Sequence, residues 1–241
     1  AAVLAMNLFP TAYVLVAPYT EAPFLAFTVW SVLAARAGRW PRAGIFAALA
    51  AATRIQGAFL IPALAAVYLA SGLRLERRAA WLLAPCLSLL AYLGINAWVF
   101  GNPLFFLQVQ EQVFHVETQV PWLTVQDLVR AVTSNSVDSF WATVYLAPLA
   151  AIVLVLAVAA WTITRARSRP DDAIVACLNA ISLAALSWPI SVPRYLVGVY
   201  PIDLALARII RMRSVGLVLG AGSTLLLGLY TLQFTLGRWA F

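Results

Sequence analysis

Three charged residues interrupt apolar sequence at points where a charge is costly. They are Glu21 in the stretch APYTEAP, Arg54 in AATRIQG and Arg194 in ISVPRY. An ionisable side chain at membrane depth faces a cavity or a partner and marks a functional site. A guanidinium binds a phosphate through two parallel hydrogen bonds, so the two arginines suit an anion site. A carboxylate beside them can orient a sugar hydroxyl or pair with Arg54, because its unpaired burial is expensive.

Each of these residues also has a simpler interpretation. Glu21 is equally compatible with a solvated loop, and both arginines can extend to the headgroup region as interfacial anchors. For Arg194 the prolines upstream end the incoming helix and place Arg194 and Tyr195 in the first turn of the next. A helix N-terminus adds to an anion site there. Gly57 allows a tight turn after Arg54.

A second group of candidates follows the Asn102-Pro103 turn, which opens a helix. Gln108 and Glu111 on that helix are predicted to face the cavity, although a surface helix without a ligand explains them as well. The complete set of predicted substrate-binding residues is Tyr19, Glu21, Arg54, Gln56, Gln108, Glu111, Arg194 and Tyr195.

The composition requires a bilayer around much of this chain. Of 241 residues, 63% are hydrophobic and 10% are charged, against roughly 25% charged in soluble domains. The net charge of +7 does not indicate nucleic acid, because the arginines form short clusters between apolar spans. With one histidine, and with Cys86 and Cys177 inside apolar segments, no zinc site is predicted, and no metal or cofactor is expected.

The arginine clusters give a topology. They are Arg36, Arg39 and Arg42; Arg74, Arg77 and Arg78; Arg165, Arg167 and Arg169; and Arg208, Arg211 and Arg213. About nine apolar segments surround them, at 1–17, 22–37, 42–54, 57–70, 79–99, 141–163, 173–190, 196–210 and 214–236. The positive-inside rule places all four clusters in the cytoplasm. Residues 42–70 must then cross twice, as a hairpin that turns near Gln56-Gly57, with arms shorter than the roughly 20 residues of a full span.

Counting membrane crossings from the cytoplasmic arginine clusters places four features on the non-cytoplasmic side. They are the turn at Glu21, the turn at Arg54, residues 100–140, and Arg194. Within 100–140, Thr124 and Asp127 resemble a capping box. The helix that follows would set Leu128, Val129 and Val132 on one face, between Trp122 and Trp141, which is typical of a helix on the membrane surface. We predict an all-α, polytopic transmembrane bundle with one domain over 1–241.

An ordered set of motifs resembles bacterial relatives of the glycosylphosphatidylinositol mannosyltransferase 2 (PIG-V-like) family, which belongs to the GT-C membrane glycosyltransferases. The motifs are Asn7-Leu8-Phe9-Pro10-Thr11-Ala12, Tyr19-Thr20-Glu21, Thr53-Arg54-Ile55-Gln56-Gly57 with Pro62, Phe100-Gly101-Asn102-Pro103, and Pro193-Arg194-Tyr195 with Tyr200-Pro201. The resemblance spans nearly the whole chain and implies a GT-C-type helix bundle.

The resemblance also implies an activity: transfer of a sugar, with mannose expected, from a polyprenyl-phosphate donor to an acceptor on the outer face of a bacterial plasma membrane. GT-C enzymes place an acidic catalytic residue in the first outer loop. The chain opens at Ala1 inside an apolar run, so we expect an N-terminal portion with that base upstream of Ala1. A polytopic transporter or lipid flippase is the alternative, although no paired halves are visible, and a purely structural subunit is a third.

Labelling of single cysteines in intact cells tests the topology. Cysteines introduced at positions 20 and 168 should react from opposite sides of the membrane, because Thr20 adjoins Glu21 and Ser168 lies within the third arginine cluster. Labelling of both from the same side would contradict the parity argument.

Overall fold

The structure is a computed structural model that describes residues 1–72, 76–135, 137, 141–166 and 169–238. The described chain is helical, which confirms the all-α prediction. The α-helices are α1 (Ala2–Leu8), α2 (Glu21–Arg36), α3 (Trp40–Thr53), α4 (Leu60–Ala70), α5 (Ala84–Phe100), α6 (Phe105–Gln112), α7 (Pro121–Ser134), α8 (Ala147–Ile163), α9 (Pro170–Ala184), α10 (Val192–Tyr195), α11 (Tyr200–Ile209) and α12 (Arg213–Thr235). Shorter helical turns join several of them, at Ala12–Leu15, Ile55–Phe59, Arg77–Leu83, Ala142–Leu146 and Leu196–Gly198.

Three helical stretches of the described chain are long and apolar enough to cross a bilayer: Arg77–Phe100, Ala142–Ile163 and Ser214–Thr235. The first and the last are largely exposed, and leucine and valine side chains cover their surfaces. An exposed apolar surface of this extent is what lipid contact requires, so the structure has the character of a membrane protein.

The other predicted segments form shorter helices. Segment 1–17 is broken at Pro10 between α1 and the following turn, since proline lacks the N–H that a continuing helix needs. Segment 196–210 is broken at Val199, before Pro201 in the first turn of α11. These breaks let the chain pack into two buried clusters of apolar side chains, one around α2, α3 and α4 and one around α8, α9 and α11.

The predicted hairpin is present, with its break at Arg54. Helix α3 ends at Thr53, Arg54 is extended (φ −152°, ψ 143°), and α4 begins at Leu60 after a short 3₁₀ turn. The reason for Gly57 differs from the one expected. A Cβ atom at this position would overlap with backbone atoms of Ala50 and Ala51 in α3, so glycine permits close approach of two backbone segments.

Helix α2 separates the two ends of the bundle. Its 16 residues extend over about 24 Å at 1.5 Å per residue, with Glu21 at the first residue and Arg36 at the last. At the Arg36 end, the Arg36 side chain pairs with Asp171 and Asp172 at the start of α9.

The described members of the four arginine clusters gather near the Arg36 end of α2. Arg165, Arg169, Arg208 and Arg211 line a cavity together with Arg36. Arg39 and Arg42 directly follow α2. Beside them, Trp40 packs edge-on against Tyr68, with 4.8 Å between the ring centroids. Tyr68 lies near the end of α4, shortly before Arg77 and Arg78 in the chain. Arg74 and Arg167, like position 168 of the labelling test, lie outside the described residues, and only the backbone of Arg213 is described.

The described part of the region 100–140 contains the two helices α6 and α7, and the predicted capping box is wrong. Helix α7 begins at Pro121, three residues before Thr124, because proline is suited to a first turn. The Thr124 hydroxyl instead donates a hydrogen bond to the carbonyl oxygen of Leu186 (3.0 Å), just beyond α9. This contact places α7 at the end of α9 that lies away from Asp171.

The predicted apolar face of α7 is only partly correct. Leu128 is buried in the core, Val132 is half-buried, and Val129 is exposed. The helix is therefore packed on α8 and α9 through Leu128, and Trp122 remains exposed beside it.

A pair of glycine substitutions tests the close approach at the hairpin. Gly57→Ala should lower the free energy of unfolding by about 1–3 kcal/mol or more, since the added methyl group meets backbone that must move. Gly94→Ala in α5 is the matched control. Its added methyl group meets no neighbour, and alanine in a helix is favoured over glycine by up to about 1 kcal/mol. Unfolding in mixed detergent measures both, and equal stability of the two variants would contradict the packing described.

Candidate functional site

The candidate site is a buried carboxylate that two arginines share. Glu21, only 1% exposed, begins α2. Its Oε1 atom lies 2.7 Å from Nη1 of Arg54 and 3.0 Å from Nε of Arg194. The arginine side chains are 13% and 18% exposed, so neither one extends freely into lipid or water. One carboxylate oxygen therefore joins three parts of the sequence.

Two tyrosine rings form the rest of this cluster. The ring of Tyr195 lies against both guanidinium groups, with 4.6 Å from its centroid to Cζ of Arg54 and 5.0 Å to Cζ of Arg194. The ring of Tyr19 lies 4.7 Å from Cζ of Arg194. The negative face of an aromatic ring attracts a cation, and more strongly where water is excluded. The rings thus help to hold the two guanidiniums beside Glu21.

Local backbone features place each charged group. Glu21 stands at the first residue of a long helix, and Arg54 occupies the extended residue between α3 and the next turn. Arg194 belongs to α10, and the carbonyl oxygen of Pro193 in the same helix accepts a hydrogen bond from the hydroxyl of Thr11 (2.9 Å). Thr11 is buried, so this bond ties the Arg194 segment to the turn that follows α1.

The expected contribution of a helix N-terminus to the anion site is not supported. Helix α9 ends at Ala184, before Pro189, and α10 has only four residues. The partial charge of a helix terminus comes from several aligned peptide units, and four residues supply few of them. The positive charge available at this site therefore comes from the guanidinium groups themselves.

The charges of the cluster do not cancel. Two guanidiniums face one carboxylate, which leaves a formal excess of one positive charge. Oε2 of Glu21 is also buried and has no hydrogen-bond partner among the described residues. A site with an excess cation and an unsatisfied acceptor suits a ligand that carries both an anionic group and a hydroxyl.

The structure brings five of the eight predicted residues together: Tyr19, Glu21, Arg54, Arg194 and Tyr195. Gln56 lies half-buried in the turn after Arg54, without a described contact to Glu21. Gln108 and Glu111 are exposed on α6, and no described contact joins either side chain to the carboxylate cluster. Helix α6 packs mainly on α5.

Sequence reasoning missed two neighbours of the cluster. Thr11 supports the Arg194 segment, and the hydroxyl of Thr20 lies 3.3 Å from Nη1 of Arg54. Both residues stand inside the motifs quoted above, but hydroxyl side chains also cap turns and helices, so their positions alone did not distinguish them.

A second charged cluster at the other end of α2 was also missed. Arg36 donates to Asp171 (2.8 Å from Nε) and to Asp172 (2.6 Å from Nη2), and the hydroxyl of Tyr200 donates to Asp172 (2.7 Å). The available signal was the adjacent pair of aspartates immediately after Pro170, where acidic residues favour a helix start. Their partner lies 135 residues away in the sequence.

Within the described residues, no group of three histidine, cysteine, aspartate or glutamate side chains is placed to hold a metal ion. The chemistry available to the cluster is therefore that of a guanidinium pair, a carboxylate and phenol rings.

No protein-family profile matches this sequence, and neither a curated protein nor a solved structure is significantly similar to it. The resemblance to the PIG-V-like family rests on the motifs alone.

The buried ion pair predicts an asymmetric response to mutation. Glu21→Gln should lower the free energy of unfolding by about 3–5 kcal/mol, because two largely buried cations lose their shared counter-charge. Glu76→Gln is the matched control: Glu76 lies 4.0 Å from Arg78, and both side chains are more than half exposed. An exposed pair of this kind contributes about 0–1 kcal/mol. Denaturant unfolding distinguishes the two, and similar losses would contradict the importance of the Glu21 pair.

Proposed function

We propose that this protein is a membrane glycosyltransferase that takes a sugar, with mannose expected, from a polyprenyl-phosphate donor and transfers it to an acceptor on the non-cytoplasmic face. One observation carries the proposal: Arg54 and Arg194 converge on a single buried carboxylate oxygen. The motif resemblance suggests the substrate class, and the convergence of the two guanidiniums supports the proposal that they bind the donor phosphate.

The two guanidiniums have more donors than Glu21 can use. Each carries five N–H groups in a planar fork. Nη1 of Arg54 donates a hydrogen bond to Glu21, whereas Nε of Arg194 lies at ion-pair distance from the same oxygen and has no hydrogen-bond partner among the described residues. A phosphate that approaches the pair can accept hydrogen bonds from the remaining donors of both residues. Glu21 keeps the two cations adjacent before the ligand arrives, so little reorganisation is needed.

This arrangement suits a displacement at the anomeric carbon. As the bond from that carbon to the phosphate oxygen breaks, negative charge grows on the departing lipid phosphate. Two fixed cations stabilise that charge most strongly where the site excludes water. The proton of the acceptor hydroxyl passes to a base, and the resemblance implies an acidic residue of the first outer loop in that role. Glu21 acts here as a positioning residue.

The position of the cluster fits a lipid-linked donor. It lies at the Glu21 end of α2, and the arginine clusters lie near the other end, at Arg36. The positive-inside rule makes the Glu21 end the outer one. A donor whose polyprenyl chain remains in the bilayer presents its phosphate near the headgroup plane. We accordingly propose a bacterial plasma membrane location with the site facing outward.

Conservative substitutions test the role of the arginines in full-length enzyme. Arg54→Lys and Arg194→Lys should each reduce sugar transfer by about ten- to a hundred-fold, because lysine keeps the charge but loses the bidentate fork. Arg42→Lys, at an exposed arginine beyond α2, is the control and should not change the rate. The assay measures transfer from polyprenyl-phosphate mannose in membranes that contain each variant.

Unchanged transfer by both site variants would contradict the assignment of the phosphate to this pair. Translocation of polyprenyl phosphate without any transfer would favour a lipid flippase instead.

A further inference from the structure

The end of the bundle opposite Glu21 holds a basic cavity of about 500 Å³. Arg165 and Arg169 line it from the connection between α8 and α9, and Arg208 and Arg211 line it from the end of α11. Arg36 and Asp172 also face it. Arg36 pairs with Asp171 and Asp172, and these three side chains together carry a formal charge of −1. Four further arginines thus surround one concave space, which is an arrangement typical of phosphate recognition.

Arg169, Arg208 and Arg211 are exposed at this cavity, whereas Arg165 is half-buried. The guanidinium of Arg165 stacks on the ring of Trp161, 4.8 Å from Cζ to the centroid, so it is held at the wall. No ion pair of Arg169, Arg208 or Arg211 is found within the described part of the chain. Like charges held this close repel one another, and a bound anion relieves that repulsion.

An apolar groove of about 230 Å³ continues from the basic cavity. The two share Ala2, Arg36 and Leu204 in their walls, and the groove runs between α1, α2 and α11 past Met6, Leu25 and Val29. Asp203 and Tyr200 also border it, and Tyr200 is bonded to Asp172. A free phosphate ion would occupy the basic cavity and leave the groove empty. A phosphate joined to a hydrocarbon chain fits both spaces.

We propose that this cavity and groove form a binding site for an anionic phospholipid of the inner leaflet, separate from the Glu21 site. The phosphate lies among Arg165, Arg169, Arg208 and Arg211, and an acyl chain follows the groove beside Val29. Basic pockets between helices at the cytoplasmic side of a membrane are suited to such headgroups. The site stands whether or not the protein is a glycosyltransferase.

The test uses the full-length protein in phosphatidylcholine vesicles that contain spin-labelled phosphatidylglycerol. The protein should bind labelled phosphatidylglycerol in preference to labelled phosphatidylcholine. Joint substitution Arg208→Gln and Arg211→Gln should weaken that preference by about five-fold for each arginine removed. The control is the joint substitution Arg39→Gln and Arg42→Gln, which removes the same charge at the same end from exposed arginines that do not line this cavity and should leave the preference intact.

Two further arms separate a lipid from a free phosphate. Val29→Phe, which adds bulk to the groove, should reduce the preference, whereas Val218→Phe on the exposed surface of α12 should not. Inorganic phosphate should displace the labelled lipid poorly. If the joint arginine variant does not fold, the preference of the unaltered protein and the Val29→Phe comparison decide the matter.

Three results would overturn the proposal. Equal association of the two labelled lipids would exclude a specific site. Equal losses in the two joint arginine variants would indicate only general attraction to the leaflet. Ready displacement by inorganic phosphate, with no effect of Val29→Phe, would show a phosphate site without a lipid chain.

Discussion

The carboxylate of Glu21 is the constraint on which the site depends. Burial of a carboxylate is tolerated only with compensating charge, and here Arg54 and Arg194 provide it through one oxygen. The pairing joins the first residue of α2, the break between α3 and α4, and the short helix α10. It forces two like charges into proximity, which is unfavourable unless the carboxylate or an anionic ligand lies between them. The two adjacent arginines therefore explain both why Glu21 must be charged and why an anionic ligand is proposed.

A charged cluster lies at each end of helix α2. Glu21 at its start pairs with Arg54 and Arg194. Arg36 at its end pairs with Asp171 and Asp172. Around the Arg36 end lie exposed arginines that charge asymmetry would keep in the cytoplasm. The helical stretches Arg77–Phe100, Ala142–Ile163 and Ser214–Thr235 are each long and apolar enough to cross a hydrocarbon layer. The two proposed phosphate sites would thus face opposite leaflets, and each would meet a lipid ligand from its own side.

Local sequence identified the helical class of the fold and the residues of the central cluster, but not every helix break or the pairing between distant helices. Arg54 and Arg194 were recognisable because a charge in apolar sequence has few explanations, and parity correctly predicted that residues 42–70 break into two helices. The interaction of Arg36 with Asp171 was not predictable, because helical periodicity contains no information on which helix is the neighbour. The orientation of α6, which leaves Gln108 and Glu111 exposed, depends on the same tertiary packing. The capping box at Thr124 was predicted wrongly because α7 begins at Pro121, upstream of Thr124.

The most direct measurement of the central claim is the distance from a bound donor phosphate to both arginines. Solid-state NMR on full-length protein with ¹⁵N-labelled arginine and polyprenyl phosphate reports ³¹P–¹⁵N proximity. The account predicts two guanidinium contacts at about 4 Å, since N···O bonds of 2.7–2.9 Å leave the phosphorus one bond further away. One contact should disappear in Arg54→Lys and the other in Arg194→Lys. A phosphate that shows no contact at this distance, or whose contacts survive both substitutions, would contradict the account.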